Sequence, residues 1–152
     1  MSAVARLAEL GLTLPPVAAP VAAYVPAVVS GNHVYVSGQL PFVDGVLQHT
    51  GYLGAEITVE QGYELSRIAA LNGLAAIDSV IGSLDRVTQV VKLGGFVASA
   101  AGFTQQPAVI NGASELLGDV FGKAGLHARA AVGVAELPMG TPVELDLIVE
   151  FA

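Results

Sequence analysis

Two charged side chains, Arg129 and Glu144, stand near the end of the sequence among residues that are mostly Ala, Val and Leu. Arg129 opens a run of small and β-branched residues that predicts a strand, and Leu-Pro-Met-Gly at 137–140 predicts a turn. A second predicted strand then carries Glu144 back across from the arginine. A guanidinium is a planar fork of five donors that suits a carboxylate. The pair therefore indicates either a site for an acidic ligand or an Arg–Glu ion pair that satisfies itself.

Other catalytic or ligating patterns are weak in this sequence. The histidines at 33, 49 and 127 have no second ligand at a spacing typical of a metal site. The absence of Cys excludes disulfides, thiol catalysis and thiolate ligands. Gly-x-Ser-x-Gly is absent, and Gly-Lys-Ala-Gly at 122–125 lacks the preceding strand and the following Ser or Thr of a phosphate loop. We therefore expect no metal ion and no organic cofactor.

Composition limits the class of protein. A chain of 152 residues favours one domain, 1–152, with a core of its own. Hydrophobic residues make up 53% of the chain and charged residues 12%, against roughly 25% charged in an average soluble domain. Apolar surface in such excess usually meets another copy, so we expect an obligate oligomer. A net charge of −7 with only 6 Lys and Arg disfavours nucleic-acid binding.

The N-terminal part is apolar but broken by prolines. Residues 10–43 contain no Asp, Glu, Lys or Arg, yet five prolines interrupt the run. A membrane helix needs about 20 continuous apolar residues. Glu9 comes too early for a signal peptide. We expect a cytoplasmic protein that makes no membrane contact.

The first half of the chain predicts a short helix, a hairpin and a long helix. The short helix covers 3–10, and an extended Pro- and Ala-rich stretch follows over 14–23. Strands at 27–30 and 33–37 flank Gly-Asn, a pair suited to a two-residue hairpin turn. A Thr-x-x-Gln capping box beginning at Thr58 starts the long helix, which should end near glycine 82.

The second half predicts a strand, a helix and two closing strands. The strand covers 87–98, and Thr104 is expected to cap the helix, with Pro107 in its first turn. In the last strand, odd-numbered apolar residues from 143 to 151 share one face, and Glu144 lies on the other. Two helices over one mostly antiparallel sheet make an α+β two-layer sandwich. Both helices should cover the same face, which leaves the other face for oligomer contact.

Two segments resemble signatures of a known family. Residues 30–41, Ser-Gly-Asn-His-Val-Tyr-Val-Ser-Gly-Gln-Leu-Pro, look like the first signature of the Rid family, the reactive-intermediate (enamine/imine) deaminases, also called YjgF-like proteins. Residues 128–132, with Leu-Pro at 137–138 and Val-Glu-Leu at 143–145, resemble its last signature. The order and spacing fit. Residues 1–23 form an N-terminal extension that resembles one branch of the family.

This resemblance implies a fold, an assembly and a set of roles. The fold would be chorismate-mutase-like, assembled as a homotrimer with sites between subunits. Arg129 would clamp a substrate carboxylate, and Glu144 would lie near the attacking water. The other residues implied to contact the substrate are Tyr24, Ser37, Gly38 and Asn111.

Simpler roles are available for three of these residues, and the sequence departs from the family in two places, after the arginine and in the segment 98–106, which differs from the acidic loop common in the family. Tyr24 could be a packed surface aromatic, Ser37 could only satisfy a strand end, and Asn111 could be an ordinary helix residue. Many family members place a hydroxyl or thiol within two positions after the arginine, where this chain has Ala130 and Ala131. This departure puts the usual substrate, 2-aminoacrylate, in question.

The function indicated first is hydrolytic deamination of small 2-imino or enamine acids. It would yield a 2-oxo acid and ammonia without a cofactor. The alternative is a non-catalytic module that binds small carboxylates in the same cleft, for sensing or for regulation of a partner. Ribonuclease or translation-inhibitor activity, which some family names carry, is disfavoured by the acidic charge balance.

Overall fold

A computed structural model describes residues 1–17 and 23–152. Half of the predicted extended stretch at 14–23, residues 18–22, lies outside the described residues. The helices are α1 (Ala3–Glu9), α2 (Val59–Ile81) and α3 (Gln106–Phe121). The strands are β1 (Ala27–Ser30), β2 (His33–Gln39), β3 (Phe42–Val43), β4 (Val46–Leu47), β5 (Val87–Ala98), β6 (Ala128–Val134) and β7 (Val143–Phe151). None of the helices in the described ranges is long and apolar enough to cross a membrane.

Five strands form the main sheet, in the order β1-β2-β7-β5-β6. Only β5 and β6 run parallel, so the sheet is mostly antiparallel, as predicted. The expectation that the Glu144 strand lies directly across from the Arg129 strand is wrong, because β5 lies between them. The connection at 135–142 is long enough to pass β5, since two strand spacings are only ~10 Å.

Helix α2 begins and ends as its sequence predicts. The Thr58 hydroxyl accepts a hydrogen bond from the Gln61 amide, and the Gln61 side chain accepts one from the Thr58 amide. This reciprocal capping box satisfies two donors at the helix start. The helix ends at Gly82 in the left-handed conformation.

Helix α3 begins without the cap that the sequence predicts. Thr104 does not cap it; the N-cap residue is Gln105, and no side chain caps the first turn. Pro107 does lie in that turn, as predicted. Proline has no amide hydrogen, so the first turn has one donor fewer to satisfy. This reduces the need for a capping side chain.

The two faces of the sheet have different surroundings. The helix face of β7 consists of Val143, Leu145, Leu147 and Val149, all buried in the core under α2 and α3. No helix of the described residues covers the opposite face, here called the outer face. It carries carboxylates from β7 and exposed apolar side chains from three other strands. The outer-face residues used below are Val28, Tyr35, Phe96, Val132, Glu144, Asp146 and Glu150.

Candidate functional site

Arg129 lies on the edge strand β6 with its side chain on the helix face. Its register partner is Leu93, which is fully buried there. Nη1 of Arg129 donates to Oδ1 of Asn111 at 2.9 Å and to the Ser114 hydroxyl at 3.1 Å. Nη2 lies 3.5 Å from the carbonyl oxygen of Pro107. All three acceptors belong to α3 and all three are neutral.

The positive charge of Arg129 therefore has no carboxylate partner among residues 1–17 and 23–152. The ion pairs in these residues join Arg6 to Glu9 and Arg67 to Asp119. An Arg129–Glu144 pair that satisfies itself is not formed within one chain. A half-buried guanidinium held by neutral groups can attract an anionic ligand.

Glu144 lies on the outer face, on the other side of the sheet from the Arg129 side chain. Its register partner on β5 is Phe96. The carboxyl group is half-buried, and this burial raises its pKa above the usual 4.5. The neighbouring Asp146 carboxylate raises the pKa of Glu144 further. A carboxyl group with a raised pKa exchanges a proton more readily near neutrality.

The Glu144 carboxylate lies directly against the backbone of Gly38. A Cβ atom at position 38 would collide with Oε1 of Glu144. Glycine is therefore required if Glu144 is to keep its observed place beside β2.

Ser37 ties the segment before β1 to the end of β2. Its hydroxyl donates to the Val25 carbonyl at 2.6 Å, and its amide donates to the Pro26 carbonyl at 2.9 Å. The simpler role, satisfaction of the strand end, matches these contacts. Tyr24 lies next to this anchored segment and is 46% exposed. Its side chain is therefore accessible in one chain.

The predicted site residues fall into two groups. Arg129 and Asn111 are in contact on the helix face, beside the edge strand β6. Glu144 contacts Gly38 on the outer face. Ser37, near the end of β2, is hydrogen-bonded to the segment that carries Tyr24. Strands β7 and β5 separate β2 from β6. One chain thus provides a guanidinium group and a carboxyl group that do not face each other.

Two contacts near Arg129 were missed in the sequence. Ser114 follows Asn111 by three residues, a spacing that places both on one face of a helix. His127 precedes Arg129 by two residues, which places both on one face of a strand. Both spacings are visible in the sequence. Only the packing of α3 on β6 brings the two pairs of residues together.

Comparisons with known proteins agree on one family. The family model described as "YjgF/chorismate mutase-like, putative endoribonuclease" matches residues 4–151. Protein TCP17 of Trypanosoma cruzi is 50% identical over 147 residues, which are 96% of this chain and 92% of that protein.

Solved structures give the same result. Atu1372 of Agrobacterium tumefaciens, a protein of unknown function, is 46% identical with a TM-score of 0.92, over 99% of this chain and 92% of that one. RidA of an Antarctic Psychrobacter is 29% identical with a TM-score of 0.63, over 89% of this chain and 94% of that one. The match to Atu1372 includes the N-terminal extension. The chain therefore belongs to the YjgF/chorismate mutase-like, or Rid, family.

Proposed function

We propose that this protein is a hydrolytic deaminase of small 2-imino or enamine acids. An enamine acid first tautomerises to the imine. Water then adds across the C=N bond to give a carbinolamine, the remaining hydroxyl proton passes to the nitrogen, the C–N bond breaks, and a 2-oxo acid and ammonia leave. The observation that carries the proposal is the guanidinium of Arg129, which neutral acceptors hold on one side. Imines hydrolyse readily, so the protein need supply orientation and a proton relay more than a powerful nucleophile.

The hydrogen bonds of Arg129 favour ligand binding at one edge of the guanidinium, the edge formed by Nε and Nη2. Nη1 has two N–H groups, and Asn111 and Ser114 accept from them. The described residues provide no acceptor in hydrogen-bond range of Nε, and Nη2 has only the long contact to Pro107. Nε and Nη2 therefore offer two parallel donors to a substrate carboxylate. This two-point contact would fix the direction of the imine carbon next to it.

Glu144 would orient the water and relay a proton. Burial and the neighbouring Asp146 raise its pKa, so it can accept a proton from the water and return it to the leaving nitrogen. The half-buried setting beside Gly38 supports this role because it limits the positions the carboxyl group can take.

The two roles require two copies of the chain, because Arg129 and Glu144 lie on opposite faces of the sheet. A cleft between subunits would let the Arg129 edge of one copy meet the outer face of the next. The outer face suits such a contact, since its exposed apolar residues Val28, Tyr35 and Val132 have no helix over them in the described ranges. We propose that the assembly is a homotrimer.

The first expected result is therefore a homotrimer in solution. Sedimentation equilibrium at micromolar concentration should give a mass three times the 15.4 kDa of one chain. Introducing Arg at Val132, in the middle of the edge strand, should dissociate it, since burial of an unpaired charge in an interface is costly. A stable wild-type monomer would remove the proposed site as well.

A second expected result tests the reaction. An amino-acid oxidase generates a 2-imino acid from a small L-amino acid, and ammonia and 2-oxo acid are followed with and without the protein. The protein should raise both rates above the spontaneous rate, in proportion to its concentration and with saturation in imine. No increase for any small side chain would exclude the deaminase.

The same assay separates the alternative function, a carboxylate-binding module without catalysis. Ala130 and Ala131 favour it, since the polar group found there in many family members is missing. A module of this kind would bind 2-oxobutyrate through Arg129 but leave imine hydrolysis at its spontaneous rate.

A further inference from the structure

The Ser114 hydroxyl joins the guanidinium of Arg129 to the imidazole of His127. Its hydroxyl oxygen lies 3.1 Å from Nη1 of Arg129 and 2.9 Å from Nε2 of His127. Nδ1 of His127 lies 2.6 Å from the carbonyl oxygen of Gly125. Neither Ser114 nor His127 is among the residues to which the family resemblance assigns a role.

For a neutral His127 imidazole, the direction of each hydrogen bond in this series follows from which atoms can donate. The Gly125 carbonyl can only accept, so Nδ1 of His127 carries a proton. In the neutral imidazole, Nε2 is then an acceptor. The guanidinium can only donate, so the Ser114 oxygen accepts from Nη1. The hydroxyl of Ser114 then donates its proton to Nε2 of His127, so every polar group in this hydrogen-bonded series has a partner.

Other helical serines of this protein behave differently. In α2, the single hydroxyl proton of Ser66 has two acceptors in range, the carbonyl oxygens of Val109 at 2.7 Å and Tyr63 at 2.9 Å. Ser79 donates to the carbonyl oxygen of Ala76, three residues earlier in the same helix. This back-bonding is the usual alternative for a serine within a helix. Ser114 makes no such bond and turns toward β6 instead. His127 provides the acceptor that draws the hydroxyl away from its own helix.

The imidazole is itself fixed by a close approach. Gly125 ends the short 3₁₀ turn Gly122–Gly125, and a Cβ atom there would collide with the backbone carbonyl of Leu117 in α3. Glycine lets the turn pack directly on the helix. The Gly125 carbonyl is thereby held at the place where Nδ1 of His127 needs an acceptor.

We propose that Ser114 and His127 are positioning residues for the carboxylate clamp. His127 orients the Ser114 hydroxyl, and the hydroxyl, together with Asn111, holds Nη1 of Arg129 so that Nε and Nη2 face the ligand. The inference rests on the proposed function in that it takes Arg129 as the clamp.

Ser114→Ala tests the inference at its centre. It should weaken binding of 2-oxobutyrate about tenfold, because a charged donor loses its acceptor and the guanidinium gains other orientations. Ser114→Thr restores the hydroxyl and should bind within about threefold of the wild type. In the imine assay, KM should rise more than kcat falls. Ser79→Ala, which removes a serine from α2, is the matched control and should change none of these values.

His127 tests the same relay from its other end. His127→Leu removes the acceptor, so Ser114 should turn back on its helix and binding should weaken by a similar factor, about tenfold. His127→Gln replaces the imidazole acceptor with an amide carbonyl oxygen that can accept the Ser114 proton, and it should recover most of the affinity. Isothermal titration with 2-oxobutyrate measures all of these, and thermal melts establish that each variant is folded.

The outcomes separate this inference from the proposed function. If folded Ser114→Ala and His127→Leu bind 2-oxobutyrate as the wild type does, the positioning role is wrong even where the wild type hydrolyses imines. If the wild type hydrolyses no imine but both variants lose affinity, the positioning role stands and the deaminase does not. A wild type that fails to bind 2-oxobutyrate at millimolar concentration would overturn the clamp and this inference together.

Discussion

Arg129→Lys is expected to weaken binding of 2-oxobutyrate about 10- to 100-fold, as loss of a charge-assisted hydrogen bond of about 1.5–3 kcal/mol requires. Lysine keeps the charge but replaces a planar fork with donors that radiate from one nitrogen. Asn111 and Ser114 would compete with the ligand for those donors. Turnover in the imine assay should fall at least as far, since the imine carbon would no longer be held in one direction.

A structural role for Arg129 would give a different result. The matched control is Arg67→Lys, which alters an arginine paired with Asp119 on the helix surface and touches none of the groups around Arg129. Both variants should keep the melting temperature and sedimentation mass of the wild type. If Arg129→Lys unfolds or dissociates the protein while Arg67→Lys does not, the arginine holds α3 to β6 and the clamp is the wrong interpretation.

The elements of this fold follow from local sequence because local forces set them. The capping box at Thr58 and the glycine at 82 fix both ends of α2. Alternation of apolar and charged residues fixes the two faces of β7. Strand β5 was predicted over the residues it occupies, 87–98. Each of these signals lies within one turn of helix or one stretch of strand, so no distant part of the chain is needed to read it.

Strand order is not local, and apart from the predicted Thr104 cap of α3 the wrong predictions concern strand order. A turn sequence between two predicted strands suggests a hairpin, yet β6 pairs only with β5, in parallel, and the chain then passes to β7. No pattern in residues 135–142 predicts that the chain crosses β5 before it forms β7. For the same reason the sequence did not predict the Ser114–His127 contact, which forms only when α3 packs against β6. It also left open whether Arg129 faces Glu144, since the register of both strands with β5 places the two side chains on opposite faces.

Glu144→Gln is expected to lower imine turnover about 100-fold, at the low end of what general acid–base catalysis contributes. Glutamine keeps the size of the side chain and one carbonyl oxygen, so the fit against Gly38 is retained. It cannot accept a proton at neutral pH. Binding of 2-oxobutyrate should persist or tighten, because a negative charge leaves the neighbourhood of an anionic ligand.

The stability of the same variant should depend on pH in a defined direction. Burial raises the pKa of Glu144 in the folded chain above 4.5, so the folded state holds the proton longer than the unfolded state does. The contribution of Glu144 to stability is therefore full below the unfolded pKa and is lost as pH rises through the folded pKa. Glutamine removes that loss. The melting temperature of Glu144→Gln should exceed that of the wild type near neutral pH, and the difference should shrink as the pH falls toward about 4.

Turnover and affinity measured on this one variant decide between the two functions. Glu150→Gln is the matched control, because it lies on the same strand and face but bonds to Asn32 and Thr88, far along β7 from Gly38. A deaminase should lose hydrolysis in Glu144→Gln alone and keep its affinity for 2-oxobutyrate. A binding module has no hydrolysis to lose and should show only the change in affinity. If Glu144→Gln turns over imine at the wild-type rate, backbone groups position the water and the carboxyl group has no part in the proton transfer.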